Sequence, residues 1–220
     1  MNKLEEMGSF FDSRLEEYDR HQLTEIEGAG EFYRFTAECL PAHPGARILD
    51  LGCGTGLELE EYFRINPSAK VTGIDLAPGM LKRLESKFPG RELTLILGSY
   101  FDVPFGKCEF DAAVSVESLH HFTKEEKVPL YSKTYSALRP GGKFVLTDYF
   151  SDSDERERRL RSEFLLLKEK QGIKDDGFYH FDTPLTAEHE IEALREGGFD
   201  TVDIIRSWGA THTLVCGKRE

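Results

Sequence analysis

Long apolar runs are what this 220-residue sequence most plainly lacks. No stretch approaches the roughly 18 apolar residues of a membrane span, and the opening MNKLEEMGSFFDSRLEEYDR holds no apolar leader-like core. Neither membrane spanning nor secretion is expected. Cysteine is sparse too: Cys39, Cys53, Cys108 and Cys216 are scattered, with no CxxC pair and no histidine at ligand spacing. That points away from a disulfide framework, gives no reason to expect a metal, and fits a cytoplasmic protein. Positive charge is the minority sign, 28 Lys and Arg against 40 Asp and Glu for a net charge of −12, and it forms no stripe. Broad attraction to nucleic acid or anionic lipid is disfavoured. The densest basic run, Arg156 to Arg161, lies beside Asp152, Asp154, Glu155 and Glu157, and reads as a salt-bridged, solvated helix face.

What is present is a globular composition, 39% hydrophobic with 16 Phe and 8 Tyr, at a length suited to one domain with a real core. Short β-branched runs alternate with helix-period stretches, the pattern of a parallel sheet covered on both faces. The expected strands are Arg47 to Leu51, Lys70 to Asp75, Leu93 to Leu97, Phe110 to Val116 and Lys143 to Asp148. Crossover helices follow at Pro78 to Phe88, with proline in the first turn, and at TKEEKVPLYSKTYSAL, which opens on a capping box of Thr123 and Glu126. Gly141 and Gly142 are expected to separate this helix from the next strand. Beyond come a charged helix (about 153 to 170), an aromatic loop QGIKDDGFYHFDTPLT, a helix (about 187 to 196) and two strands around SWGAT that form an antiparallel hairpin. Two helical stretches, around 12 to 20 and 24 to 40, precede the first strand.

The chemistry should sit at the carboxyl ends of the strands. ILDLGCGTG places Gly52, Gly54 and Gly56 directly after a strand ending near Asp50, so bare backbone N–H groups meet a helix start. The spacing is G-x-G-x-G rather than the dinucleotide G-x-G-x-x-G, which argues against a nicotinamide dehydrogenase. Asp75, at the end of the next strand, can accept hydrogen bonds from the vicinal hydroxyls of a ribose and would repel a 2′-phosphate.

ILDLGCGTG, VTGIDLAPGML, LILGSYFDVPF, FDAAVSVESLHHF and ALRPGGKFVLTDYF follow one another in the order and spacing of the class I S-adenosylmethionine-dependent methyltransferases, which this chain resembles over about residues 45 to 150. The resemblance implies an α/β fold: a Rossmann-like, seven-stranded, mostly parallel sheet with a C-terminal antiparallel hairpin and helices on both faces. It implies a single methyltransferase domain over 1–220, with an N-terminal helical lid (1–40), a cofactor-binding core (45–150) and an acceptor-side insertion and terminal hairpin (151–220). It also implies S-adenosylmethionine as cofactor. Asp50 and the loop of Gly52, Cys53, Gly54 and Gly56 would hold its methionine end, Asp75 its ribose, and Leu76 and Met80 would flank the adenine. The family usually carries an acid where Ser99 stands, so the Ser99 hydroxyl or the Tyr100 backbone would take over the adenine contact. An acid beside the loop suits a ligand bearing an ammonium and a sulfonium rather than a pyrophosphate.

Val116 and Glu117 are expected along the cofactor edge, Glu117 within reach of the chemistry. One of His120 and His121 is the first choice for a general base, with a packing or turn-closing role as the alternative. Tyr18 would lie over the methyl donor and Arg14 would meet the methionine carboxylate, the alternative being a docking helix. Phe178, Tyr179, His180 and Phe181 read either as an acceptor pocket or as a tether. The expected acceptor is a small molecule. Other readings are a transferase that modifies wobble uridine in transfer RNA with a carboxylated cofactor, Arg195 or Arg206 serving it, and a non-catalytic S-adenosylmethionine-binding protein. The hairpin edge could support a homodimer.

Overall fold

The computed structural model describes residues 3–219. Seven strands form one sheet in the order β3-β2-β1-β4-β5-β7-β6. They are β1 (Arg47–Leu51), β2 (Lys70–Asp75), β3 (Glu92–Leu97), β4 (Phe110–Val116), β5 (Leu138–Tyr149), β6 (Thr201–Trp208) and β7 (Thr211–Gly217). The first five run parallel, and β7 pairs antiparallel with both β5 and β6. Central strands buried on both faces favour near-continuous apolar runs, and Ile48, Leu49 and Leu51 of β1 are at most 1% exposed. Strand order reverses between β1 and β4, which opens a crevice beyond their carboxyl ends.

Among the described residues eight helices cover the sheet: α1 (Met7–Ser13), α2 (Leu15–Glu25), α3 (Ala29–Glu38), α4 (Leu57–Ile65), α5 (Pro78–Lys87), α6 (Lys124–Ala137), α7 (Asp154–Lys170) and α8 (Ala187–Glu196). The expected capping box at Thr123 and Glu126 is present and starts α6. Lys127 and Tyr131 of α6 both bond Glu190 of α8 in the interior, which pins these helices together.

Two boundaries depart from expectation. The segment before β1 is three helices rather than two, because the chain breaks at Arg14 and again at Gly28, whose φ of 78° is left-handed. A Cβ on Gly28 would also come 2.7 Å from Trp208 Cβ. The fifth strand begins at Leu138 instead of Lys143: Gly141 and Gly142 lie inside an irregular stretch of β5, where the register with β4 shifts. Among the described residues no helix is long and apolar enough to cross a membrane, and the four cysteines are unbridged.

Candidate active site

A cleft opens at the reversal of strand order. The turn after β1 supplies Gly52 and Gly54, the end of β2 Asp75 and Leu76, α5 Met80, the turn after β4 Glu117, Ser118 and His121, and the covering segment Met7, Phe11 and Tyr18, with Tyr100 on the remaining wall. Glycine is required at the floor. Gly52 sits at φ 76°, and a Cβ there would collide with the Ser118 hydroxyl and come 2.7 Å from Ser118 Cβ. Gly54, at φ 47°, passes under the Tyr18 ring.

Asp75 fixes this loop. Its carboxylate accepts the Gly54 N–H and the Ala77 N–H, both at 2.8 Å, which still leaves lone pairs toward the cleft. Burial raises its pKa against the pull of those N–H groups. Asp50 lies behind the loop, 1% exposed, and does not line the cleft. Its neighbour is Glu58, in the first turn of α4, a residue the sequence analysis did not single out. Burial and the neighbouring Glu58 carboxylate push the Asp50 carboxyl well up, and burial takes Glu58 up to about 7. Among the described residues Asp50 Oδ2 and Glu58 Oε1 are buried without a hydrogen-bond partner. Two orphaned acceptors beneath a loop are a place for a cation.

The histidine pair divides by environment. Burial opposes the His120 cation, but Asp148, whose Oδ1 lies 2.6 Å from His120 Nδ1, outweighs it and raises the pKa to about 9. His121 lines the cleft, and burial, reinforced by the positive His120, lowers its pKa. Glu117 holds a left-handed backbone (φ 48°), an unfavourable conformation for a residue with a side chain. Burial and the Asp148 carboxylate push its acid up to about 8, and it accepts a bond from the Thr211 hydroxyl. Asp148, 2% exposed near the end of β5, also accepts the Leu119 N–H and so shapes the turn. The acid in LTDYF was the only sequence signal for it.

Other expected residues lie elsewhere. Ser99 is buried and its hydroxyl accepts the Phe101 N–H, so it shapes its own turn, whereas the Tyr100 ring reaches the cleft and its hydroxyl donates to the Ser118 carbonyl. Val116 is in the core, Cys53 packs against Gly73, and Gly56 against Phe88 and Leu84. Arg14 pairs with Glu5 at 2.9 Å and covers the Phe10 ring, outside the cleft lining.

The cover is a joint structure. Met7 N–H donates to the Phe178 carbonyl and His180 N–H to the Glu5 carbonyl, so Glu6 and Tyr179 form an antiparallel bridge. The His180 ring stacks on Phe10 at 3.5 Å, and Phe178 packs against Phe101 and Phe122. Asp12 of α1 accepts the Gly79 N–H at 2.8 Å, which ties the cover to the start of α5. The aromatic loop is therefore a partner of α1, and no side chain from it lines the cleft.

Residues 48–142 match a family described as a methyltransferase domain. The chain is 32% identical over 129 residues to an uncharacterized methyltransferase of Synechocystis sp., covering 59% of each. It is 32% identical over 143 residues to a demethylmenaquinone methyltransferase of Symbiobacterium thermophilum, covering 61% of this chain and 55% of that one. The chain thus spans somewhat over half the length of these curated relatives. The fold matches that of human N-acetylserotonin methyltransferase in complex with S-adenosylmethionine, with a TM-score of 0.63, 19% identity, and coverage of 88% of this chain and 53% of the other. Residues 48–142 thus carry a methyltransferase domain, and the motif order and seven-stranded sheet are like those of the class I S-adenosylmethionine-dependent methyltransferases.

Proposed function

We propose that the protein is a methyltransferase that binds S-adenosylmethionine in the cleft between β1 and β4 and passes its methyl group to a small-molecule acceptor. The observation that carries this reading is the floor of the cleft: bare backbone at Gly52 and Gly54, with Asp75 on one side and the unpartnered Asp50 and Glu58 oxygens beneath. The acids suit a ligand with a cationic end and ribose hydroxyls, and would repel a pyrophosphate. The cofactor supplies a methyl group activated on a sulfonium.

Each role belongs to a residue of this chain. Asp75 accepts from the ribose hydroxyls while its bonds to Gly54 and Ala77 hold the loop open. Asp50 and Glu58 attract the ammonium, and Leu76 and Met80 supply apolar contact for the base. Tyr18, Phe11 and Met7 exclude water, which matters because methyl transfer is an in-line displacement that depends on alignment more than on covalent help. The acceptor approaches along Glu117 and His121. The transfer-RNA reading has less support: Arg206 is engaged by Glu31 on the outer face of the sheet, and neither it nor Arg195 lines the cleft.

Calorimetry with S-adenosylmethionine, and release of S-adenosylhomocysteine from pools of small metabolites, test the proposal. Asp75→Ala is expected to weaken cofactor binding by about 1–3 kcal/mol through lost hydrogen bonds to a charged acceptor. Unchanged affinity would remove the ribose assignment, and tight binding without turnover on any pool would favour a non-catalytic binding protein.

A further inference from the structure

Beside the cleft, behind His121, lies a donor set that the spacing of the sequence conceals. His120 and His121 are adjacent, and Asp182 comes from the distant aromatic loop. Thr183 brings them together: its N–H donates to the His120 carbonyl at 2.9 Å and its hydroxyl to the His121 carbonyl at 3.1 Å. The residue before it, Asp182, is thereby held over both rings. Asp182 Oδ1 lies 3.2 Å from His121 Nδ1 and 3.7 Å from His120 Nε2, and the three donor atoms fall within 4.8 Å of one another. Neighbouring donors around a tetrahedral ion with bonds of about 2.0–2.1 Å are separated by about 3.3 Å. His180 Nε2 stands 3.9 Å from the same carboxylate oxygen.

We propose that His120, His121 and Asp182 bind a divalent transition-metal ion of the zinc class. Two imidazoles and one carboxylate are a donor set that such ions prefer, and three protein ligands leave a position open for an exogenous one. The surroundings are those of a metal-binding histidine: His120 turns its other nitrogen to Asp148 at 2.6 Å, which orients the ring and leaves Nε2 toward Asp182. Asp148 itself is occupied by the Leu119 and Tyr149 N–H groups, so it positions His120 and is not a ligand. Of the three ligands only His121 lines the cleft, while Asp182 lines the hollow beside His180, Phe10 and Arg14, so the open position is left to an exogenous oxygen or nitrogen donor. The ion site does not rest on the methyltransferase reading.

The test is direct metal titration of the purified chain with Co²⁺, followed by visible absorption, and with Zn²⁺ in competition. One ion per chain is expected, with the intense absorption of a low-coordinate nitrogen and oxygen site that Zn²⁺ abolishes. Asp182→Ala, half-exposed and tolerable to the fold, should weaken uptake by more than about tenfold, and Asp148→Asn by about tenfold through its hold on His120. Thermal unfolding of each variant separates lost ligation from lost structure, and His189→Gln, at a surface histidine paired with Glu157, should change nothing. No saturable uptake of either ion, or uptake that Asp182→Ala and His120→Gln leave intact, would overturn the site. Cofactor calorimetry run on the same samples keeps that result separate from failure of the methyltransferase reading.

Discussion

The floor of the cleft and its cover are built by opposite means. The floor comes from the ends and glycine turns of adjacent parallel strands, where each position is dictated by what the sheet packs against it: Gly52 by its left-handed backbone and the Ser118 side chain, Asp75 by the Gly54 and Ala77 N–H groups it accepts. The cover exists only because remote segments meet. Leu4 N–H donates to Gln171 Oε1 across 167 positions, and the bridge between Glu6 and Tyr179 is of the same kind. The hydrogen-bonded ladder of the sheet gives the floor rigidity, whereas the cover depends on a few contacts outside it, so it should open before the sheet does.

The sharpest way to break the contrast is at the floor. Gly52→Val, combining a left-handed backbone with a collision against Ser118, should cost roughly 3 kcal/mol or more of stability and abolish cofactor binding, measured by urea unfolding and calorimetry. Survival of both properties would show the floor to be as pliable as the cover. Next comes Glu58→Gln. Burial raises this acid from its ordinary 4.5 to about 7, so the stability associated with its protonated form is complete below the unfolded value and lost as pH climbs through the folded one. The cofactor-free protein should therefore weaken by roughly 1–3 kcal/mol between about pH 5 and about pH 8, and the glutamine variant should be flatter over that window. Parallel urea midpoints at the two pH values decide it. The smallest effect belongs to the cover: Phe178→Ala removes the packing on Phe101 and Phe122 and should cost about 1 kcal/mol. Its signature is local. The Met7 and His180 amides should exchange faster while those of β1 and β4 do not.

The same division governs how much could be read beforehand. β1, β2 and β4 were legible to the residue because apolar runs bounded by turns report local conformation, and the Thr123 capping box is a signal within four residues. Gly52, Gly54, Asp75, Leu76 and Met80 line the cleft as their motifs suggested, and Tyr18 joins them from α2. The sequence was silent where tertiary pairing decides. Arg14 looked available for a carboxylate until Glu5, folded back against it, took its guanidinium. Ser99, expected at the adenine, spends its hydroxyl on Phe101 N–H. Glu58 reads as an ordinary first-turn acid of a helix, and only the depth of α4 behind the glycine loop turns it into the buried partner of Asp50. Asp182 could not be tied to His120 and His121 without the two Thr183 bonds that join them.

The bridge between Glu6 and Tyr179 also orders events in time. A nascent chain emerging from the ribosome displays its glycine turn and Asp75 long before Tyr179 is synthesised. The bridge that closes the cover is therefore a contact that only the nearly complete chain can make.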